Sequence, residues 1–318
     1  MLPIDYPWIL GSTKPDPSPY IFMPGKPDAE IEITPELVRE LVAGQFPKLA
    51  DESIVEQTSG WDNVIYRLGL QYLVRLPRRA LGGKHAIHEQ EFLPKLAPVL
   101  PLPIPSPVAI GQPTKDYPWH WSIVQRFRGE TLDLAELVPG QAAKFGTFLK
   151  TLHRQDPSGV PDNPYRGGFL HDRIPWFEER WDRLTDAGEP SASEGYLRFI
   201  QEALATPYPD QTHLLHGDLH PWNLLAADGK LTAVLDWGDL TEGDIATDIA
   251  SAWLLFDEPA ERAAFFSTYQ VPDEATLRRA RGWAVTLAAV FLDTGLTNGV
   301  PGATQVGRDT LRRLTEDL

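Results

Sequence analysis

The sequence predicts an α+β protein of two lobes, a small β-rich one followed by a larger, mostly helical one. Three observations carry that expectation. Period-two apolar alternation is confined to the chain before Gly129; after it the apolar residues recur at helical spacing. One hydrophobic hairpin signal, within HGDLHPWNLLAADGKLTAVLDWGD at 216–239, interrupts the helical half. With 318 residues the chain exceeds one typical core, and 10 Trp, 9 Tyr and 13 Phe can fill two.

The elements follow in order. Residues 1–30, including KPDPSPYIFMPGKPD, are proline-rich and aperiodic, and they read as an extended arm. Thr34 then offers a helix cap, with Pro35 at the first helical position and Leu37, Val38, Leu41 and Val42 on one face. Val64, Tyr66 and Leu68 alternate with other residues as a strand, and after Gly69 the run Gln71–Pro77 resumes an extended pattern. A short helix is expected over His85–Leu93, no regular helix across the prolines of 98–113, and a strand over Trp119–Phe127. Helices are expected at Pro139–Arg154, Ile174–Leu184, Glu194–Ala205, Thr247–Phe256, Ala260–Tyr269, Glu274–Leu292 and Thr304–Leu314. No internal repeat is present.

Charge narrows the function. The chain carries 29 Lys plus Arg against 44 Asp plus Glu, a formal charge of −15, which disfavours nucleic acid and anionic membranes as partners. It has no cysteine, so disulfides, thiolate metal sites and thiol nucleophiles are excluded. The start, MLPIDYPWILGST, lacks a basic region and a long apolar core, and a cytoplasmic protein is expected. The most apolar stretch, Trp283–Leu292, is too short to span a bilayer.

The hairpin poses the chemical question, because burying carboxylates beside apolar strands is costly unless each has a partner. A two-residue turn at Asp228-Gly229 would set Asn223 against Val234 and Pro221 against Asp236. Asn223 and Asp236 then lie near the same open end of the ribbon, with Asp218 just before it. Few hard oxygen ligands with room for water and phosphate suit Mg2+ bound with a nucleotide. In that reading Asn223 and Asp236 hold the metal and Asp218 accepts a proton from an attacking hydroxyl. A rival reading makes His216-x-x-x-His220 a zinc site of a metallohydrolase. It needs a helix that Gly217 and Pro221 oppose, and His85 with His88 supplies no clear third ligand.

His216-Gly217-Asp218-Leu219-His220-Pro221-Trp222-Asn223 followed by Leu235-Asp236-Trp237-Gly238-Asp239 resembles the catalytic and metal motifs of the aminoglycoside phosphotransferase family, whose fold is the bilobal protein-kinase-like one. The resemblance spans about residues 52–250. It implies that Asp218 is the catalytic base, that Asn223 and Asp236 bind magnesium, and that His216 orders the loop. Gly60, in Ser59-Gly60-Trp61-Asp62-Asn63, would belong to the nucleotide-covering loop. Arg75 stands where kinases carry a phosphate-contacting lysine, a departure that keeps the charge, with Glu89 as its ion-pair partner. Gln125 and Phe127, in Gln125-Arg126-Phe127-Arg128-Gly129, would present hinge backbone to a purine, and Asp248 would brace the catalytic loop.

By the same resemblance residues 31–127 form a nucleotide-binding lobe and 128–318 a catalytic, acceptor-binding lobe. The implied activity is Mg2+-dependent transfer of the γ-phosphate of ATP or GTP to a hydroxyl of a small molecule. An aminoglycoside acceptor would make it an antibiotic-resistance enzyme; a macrolide, or a choline- or sugar-like metabolite, is the alternative within the fold. A non-catalytic nucleotide-binding module is the alternative outside it. Asp239, Glu242 and Asp244 are candidates to meet an amine-bearing acceptor. Trp176, Phe177, Trp181, Tyr196, Trp253 and Trp283 are candidates to line a flatter one.

Overall fold

A computed structural model describes residues 28–163, 166–271 and 273–317. Nearly all of the expected arm lies outside the described residues. The first helix, α1 (Pro35–Gln45), begins as expected: Thr34 Oγ1 accepts the Leu37 N–H at 3.2 Å and Pro35 occupies the first turn. Five strands follow around one helix: β1 (Ile54–Ser59), β2 (Asn63–Leu68), β3 (Tyr72–Pro77), α2 (Ala80–Leu96), β4 (Pro107–Gly111) and β5 (Trp121–Gln125). They form one antiparallel sheet in the order β1-β2-β3-β5-β4.

Alternation decides which residues face the sheet's core. Tyr66 and Leu68 on β2 and Val74 and Leu76 on β3 are fully buried against Val38, Leu41 and Val42 of α1. Each buried aliphatic side chain contributes about 1.5–3 kcal/mol. Arg75, between Val74 and Leu76, must therefore project from the opposite face, where α2 lies.

Helix α2 starts earlier than the expected His85–Leu93 and ends beyond Pro94. Its first turn holds Gly82 and Gly83, poor helix formers that mask it in the sequence. They are explained by packing, since a Cβ on Gly83 would lie 2.7 Å from the Trp119 ring. Strands β1 and β4 carry no clear alternation of apolar residues, because both lie at sheet edges.

Beyond Gln125 come β6 (Glu130–Thr131), α3 (Gln141–Leu152), α4 (Ile174–Asp186), α5 (Leu197–Leu204), β7 (His213–Leu215), β8 (Leu224–Ala227), β9 (Lys230–Val234) and β10 (Thr241–Gly243). The chain ends in α6 (Ala246–Ile249), α7 (Ser251–Leu255), α8 (Pro259–Tyr269), α9 (Glu274–Asn298) and α10 (Ala303–Glu316). A second core gathers Phe145, Phe148, Leu149, Trp237, Trp253, Phe265 and the small residues of α9. The single helix expected over Thr247–Phe256 is broken into α6 and α7, and the one expected at Glu194 opens as a 3₁₀ turn. Among the described residues no helix is long and apolar enough to cross a membrane.

The hairpin of β8 and β9 turns at Asp228-Gly229, both with positive φ (51° and 73°), as a two-residue turn matched to strand twist requires. Its register differs from the expected one. Ala226 pairs with Leu231 as foreseen, but Leu225 pairs with Ala233 and Leu224 with Val234. The cause is a bulge at Thr232, whose hydroxyl donates to the Arg128 carbonyl at 2.7 Å. Asn223 thus lies opposite Leu235, accepting its N–H at 2.7 Å, one residue nearer Asp236 than a regular ribbon would place it.

Because Gly229 adopts φ +73° and a Cβ there would meet Val138 Cγ1 at 2.5 Å, Gly229→Ala is expected to cost about 1–3 kcal/mol. Thermal unfolding of the variant beside the parent reads this directly; an unchanged Tm would contradict it.

Candidate active site

The loop between β7 and β8 is held from beneath by one carboxylate. Asp248 Oδ2 accepts the His216 N–H at 2.8 Å and Oδ1 accepts the Gly217 N–H at 2.9 Å. His153 Nε2 lies 3.1 Å from Oδ2, and its other nitrogen meets the Tyr269 hydroxyl at 2.6 Å. Burial alone would raise the Asp248 carboxyl, but the bond and charge of His153, then His216 and the Gly217 N–H, hold it below the ordinary range. Gly217 has φ +86°, and a Cβ there would sit 2.8 Å from the Asp239 carbonyl, so no other residue fits this crossing.

His216, fully buried, joins the two motifs. Its Nδ1 accepts the Asp218 N–H at 3.3 Å, which leaves Nε2–H to donate to the Leu235 carbonyl at 2.9 Å. Both ring nitrogens are spent on backbone, and residues 216–220 are not helical. The zinc reading of His216 and His220 therefore lacks its geometry. Among the described residues no group of three or more His, Cys, Asp or Glu forms a metal cluster.

Asp218 receives three neighbours. Arg166 Nη2 lies 2.8 Å from Oδ1, while His220 Nε2 at 3.3 Å and Asn223 Nδ2 at 3.4 Å approach Oδ2. Desolvation would raise this carboxyl, but Arg166 and then His220 outweigh it and keep it ionised well below the ordinary carboxylate range. Asn223 donates its amide to the Asp218 carbonyl at 2.8 Å, and its Oδ1 takes no hydrogen bond among the described residues.

Asp236 is exposed and carries φ +56°, a backbone conformation rare outside glycine. Its carboxyl is pushed above the usual range, first by the protein packed around it. Arg75 opposes that shift, and the like charges of Glu89, Asp218 and Asp239 add to it. Asp218, Asp236, Asp239 and Glu89 thus lie near one another, with the guanidiniums of Arg75 and Arg166 and the imidazoles of His85 and His220 among them. The oxygens of Asn223 and Asp236 are the hard donors that magnesium takes. The residues fit the ion.

Arg75 and Glu89 form the expected pair, Nη1 to Oε1 at 3.0 Å, with both side chains nearly buried. The same Oε1 accepts the Trp237 N–H at 3.3 Å, so α2, β3 and the Asp236 loop meet at one oxygen. Gly60 sits in the β1–β2 turn, its N–H on the Asn63 carbonyl and its own carbonyl on Arg78. Asp62 beside it is gripped by Arg79 at 2.8 Å and His85 at 3.5 Å. Gln125 closes β5, the Arg126 N–H is spent on Gln71, and the Phe127 N–H meets no backbone acceptor among the described residues. Two open depressions of about 460 and 450 Å3 flank this connection, and neither contains Asp218, Asn223 or Asp236. The chemistry, not the concavity, marks the site.

The acceptor side departs from expectation. Asp244 is fully buried in an ion pair with Arg279 at 2.6 Å, and Asp239 is held by Arg166 at 3.2 Å and Asn163 at 2.9 Å. Of the three acidic candidates only Glu242 is exposed. Phe177, Trp181, Trp253 and Trp283 are core residues and Tyr196 packs against that core, while Trp176 is buried beneath the Arg173 guanidinium. The aromatic surface beside Asp218 is another one: half-buried Trp222 stacks on Phe291 of α9 at 5.6 Å, and both meet the His220 ring edge-on. Trp222 lies inside the quoted motif, but Phe291 and Arg166 reach the site only through tertiary folding.

Such an arrangement, a small antiparallel sheet with a buried Arg–Glu pair over an Asp–Asn–Asp constellation, defines a phosphotransferase-type site. Residues 53–283 match the model of the phosphotransferase enzyme family APH, and the chain belongs to that family. A thiamine kinase of Escherichia coli O157:H7 (strain EC4115 / EHEC) is 25% identical over 219 residues, covering 68% of this chain and 70% of that protein. The structure of the GDP complex of aminoglycoside 2′-phosphotransferase-IIIa aligns with a TM-score of 0.65 at 18% identity, covering 90% of this chain and 100% of that one. A macrolide 2′-phosphotransferase from Brachybacterium faecium aligns at 0.57 and 18% identity, covering 87% and 97%. These likenesses establish the bilobal protein-kinase-like fold.

Removing the brace should be costly in a specific way. Asp248→Ala leaves two buried backbone N–H groups unpaired and is expected to destabilise the protein by about 2–5 kcal/mol. Denaturant unfolding of the variant measures it; a loss below about 1 kcal/mol would show that the loop holds itself.

Proposed function

We propose that this protein transfers the γ-phosphate of ATP or GTP, with Mg2+, to a hydroxyl of a small molecule. One observation carries the reading: Asp218, Asn223 and Asp236 are tied into one unit through Leu235, whose N–H goes to Asn223 and whose carbonyl goes to His216.

In the reaction an acceptor oxygen bonds to the γ-phosphorus as the bond from that phosphorus to the β-bridging oxygen breaks. The hydroxyl proton goes to Asp218 and the nucleoside diphosphate departs. Asn223 and Asp236 would hold magnesium, which when bound neutralises charge on the phosphate oxygens. Arg75, fixed by Glu89, offers a guanidinium to the phosphates, with Gly60 in the turn above them. The backbone of Gln125 and Phe127 receives the purine, and residues 31–127 and 128–318 act as the nucleotide-binding and the catalytic lobe.

For the acceptor, the pairing of Asp239 and Asp244 with arginines argues against an acidic subsite for a polyamine antibiotic. The Trp222–Phe291 stack beside Asp218 supports a metabolite with a flat ring instead. The kinship with a thiamine kinase makes thiamine the first acceptor to test.

Purified protein incubated with Mg2+, ATP or GTP, and a panel of thiamine, choline, sugars, aminoglycosides and macrolides should add one phosphate to an acceptor, read by mass. Asp218→Asn should reduce transfer by about 10²–10⁴-fold while Mg-nucleotide still binds, and chelation of the metal should abolish it. Nucleotide binding without transfer to any acceptor would favour the non-catalytic module. Glu89→Gln, which frees Arg75 from its partner's charge, should raise the nucleotide KM; an unchanged KM would remove the pair from phosphate binding.

A further inference from the structure

Arg166 is the guanidinium in direct contact with the proposed base, and it comes from neither motif. It belongs to the segment between α3 and α4, and its position is built. A Cβ on Gly217 would lie 3.2 Å from Arg166 Cβ, so the arginine stem packs directly over the crossing of the catalytic loop. The following residue, Gly167, is pinned by its carbonyl, which accepts from the Tyr208 hydroxyl at 2.9 Å and the Asp244 N–H at 3.3 Å. Thr241 on β10 fixes the start of the segment through the Pro161 carbonyl at 3.1 Å.

The guanidinium has two anchors. Nη2 meets Asp218 Oδ1 at 2.8 Å and Nε meets Asp239 Oδ2 at 3.2 Å, and the other Asp239 oxygen is held by Asn163. Asp239 is therefore a fixed post from which the guanidinium reaches the base. The second oxygen of Asp218 is flanked by His220 and Asn223. Arg166 thus occupies Oδ1 at short range, while Oδ2 has only these longer approaches.

We propose that Arg166 is a positioning residue that caps the base until an acceptor arrives, and that it thereby protects the bound nucleotide from water. This rests on the phosphotransfer reading above. A correct acceptor, held by its own contacts in the large lobe, displaces the guanidinium from Oδ1 while Asp239 retains it; water has no such contacts. The reaction suppressed is hydrolysis. A water oxygen would bond to the γ-phosphorus, the bond to the β-bridging oxygen would break, the proton would go to Asp218, and nucleoside diphosphate and inorganic phosphate would leave.

The test needs no knowledge of the acceptor. Phosphate release from Mg-ATP and Mg-GTP, with no acceptor present, is measured for the parent, Arg166→Gln, Arg166→Lys and the double variant Arg166→Gln/Asp218→Asn. Binding of a fluorescent nucleotide to each serves as the check of folding. Arg166→Gln is expected to raise hydrolysis about tenfold or more, Arg166→Lys to restore much of the suppression, and the double variant to abolish the gain. An unchanged or reduced rate in Arg166→Gln overturns the cap, as does a gain that survives loss of Asp218. Absence of nucleotide binding in the parent would instead sink the phosphotransfer reading itself.

Discussion

The site depends on two hydrogen bonds from consecutive backbone amides, His216 and Gly217, to the carboxylate of Asp248. Unpaired buried N–H groups are expensive, so this one side chain fixes the path of the loop that carries Asp218. His153 completes the brace and is oriented in turn by Tyr269. From that floor the order propagates upward. His216 reaches Leu235, Leu235 reaches Asn223, and Trp237 reaches Glu89 and so Arg75. A chain of named bonds thus runs from a helix of the large lobe to a strand of the small one. A kinase-type site needs that continuity, because its work is to hold several groups in register.

Electrostatics explains why the same residues are uneasy without ligands. Asp236 stands exposed in a rare backbone conformation, among carboxylates that raise its affinity for a proton. Arg75 is shared between Glu89 and Asp236, so its charge is already partly committed. In the proposed reaction a divalent cation would answer the carboxylates and the nucleotide's phosphates the arginine. Strain and uncompensated charge at one point mark a site organised for ligands rather than for its own stability.

Legibility in the sequence followed range. Asp218, Asn223 and Asp236 could be read because one hairpin holds them, and its Asp228-Gly229 corner is a local signal. The register at the open end could not, because the Thr232 bulge answers to Arg128, far away in the chain. The helix around Glu89 was only half visible, since Gly82 and Gly83 serve Trp119 rather than helix propensity. Strands β1 and β4, short of alternation at the sheet edges, were silent. Large aromatics on helical stripes filled the core of the large lobe. Trp222 and Phe291, which line the surface beside Asp218, carry no pattern that distinguishes them.

The same division separates the reaction from its substrate. Every group proposed to handle phosphate lies within the small sheet, α2 or the two motifs, where local geometry constrains it. Of the groups proposed to face the acceptor, only Trp222 lies in a motif; Arg166 and Asn163 come from before α4 and Phe291 from α9. Asp239 stands between the two sets, next to the Asp236 motif in sequence yet bound to Arg166 in space. The two sets meet at Asp218. Arg166 contacts it directly, and His220, against which Trp222 and Phe291 pack, approaches it from the other side. Through these contacts the proposed acceptor side bears directly on the proposed base.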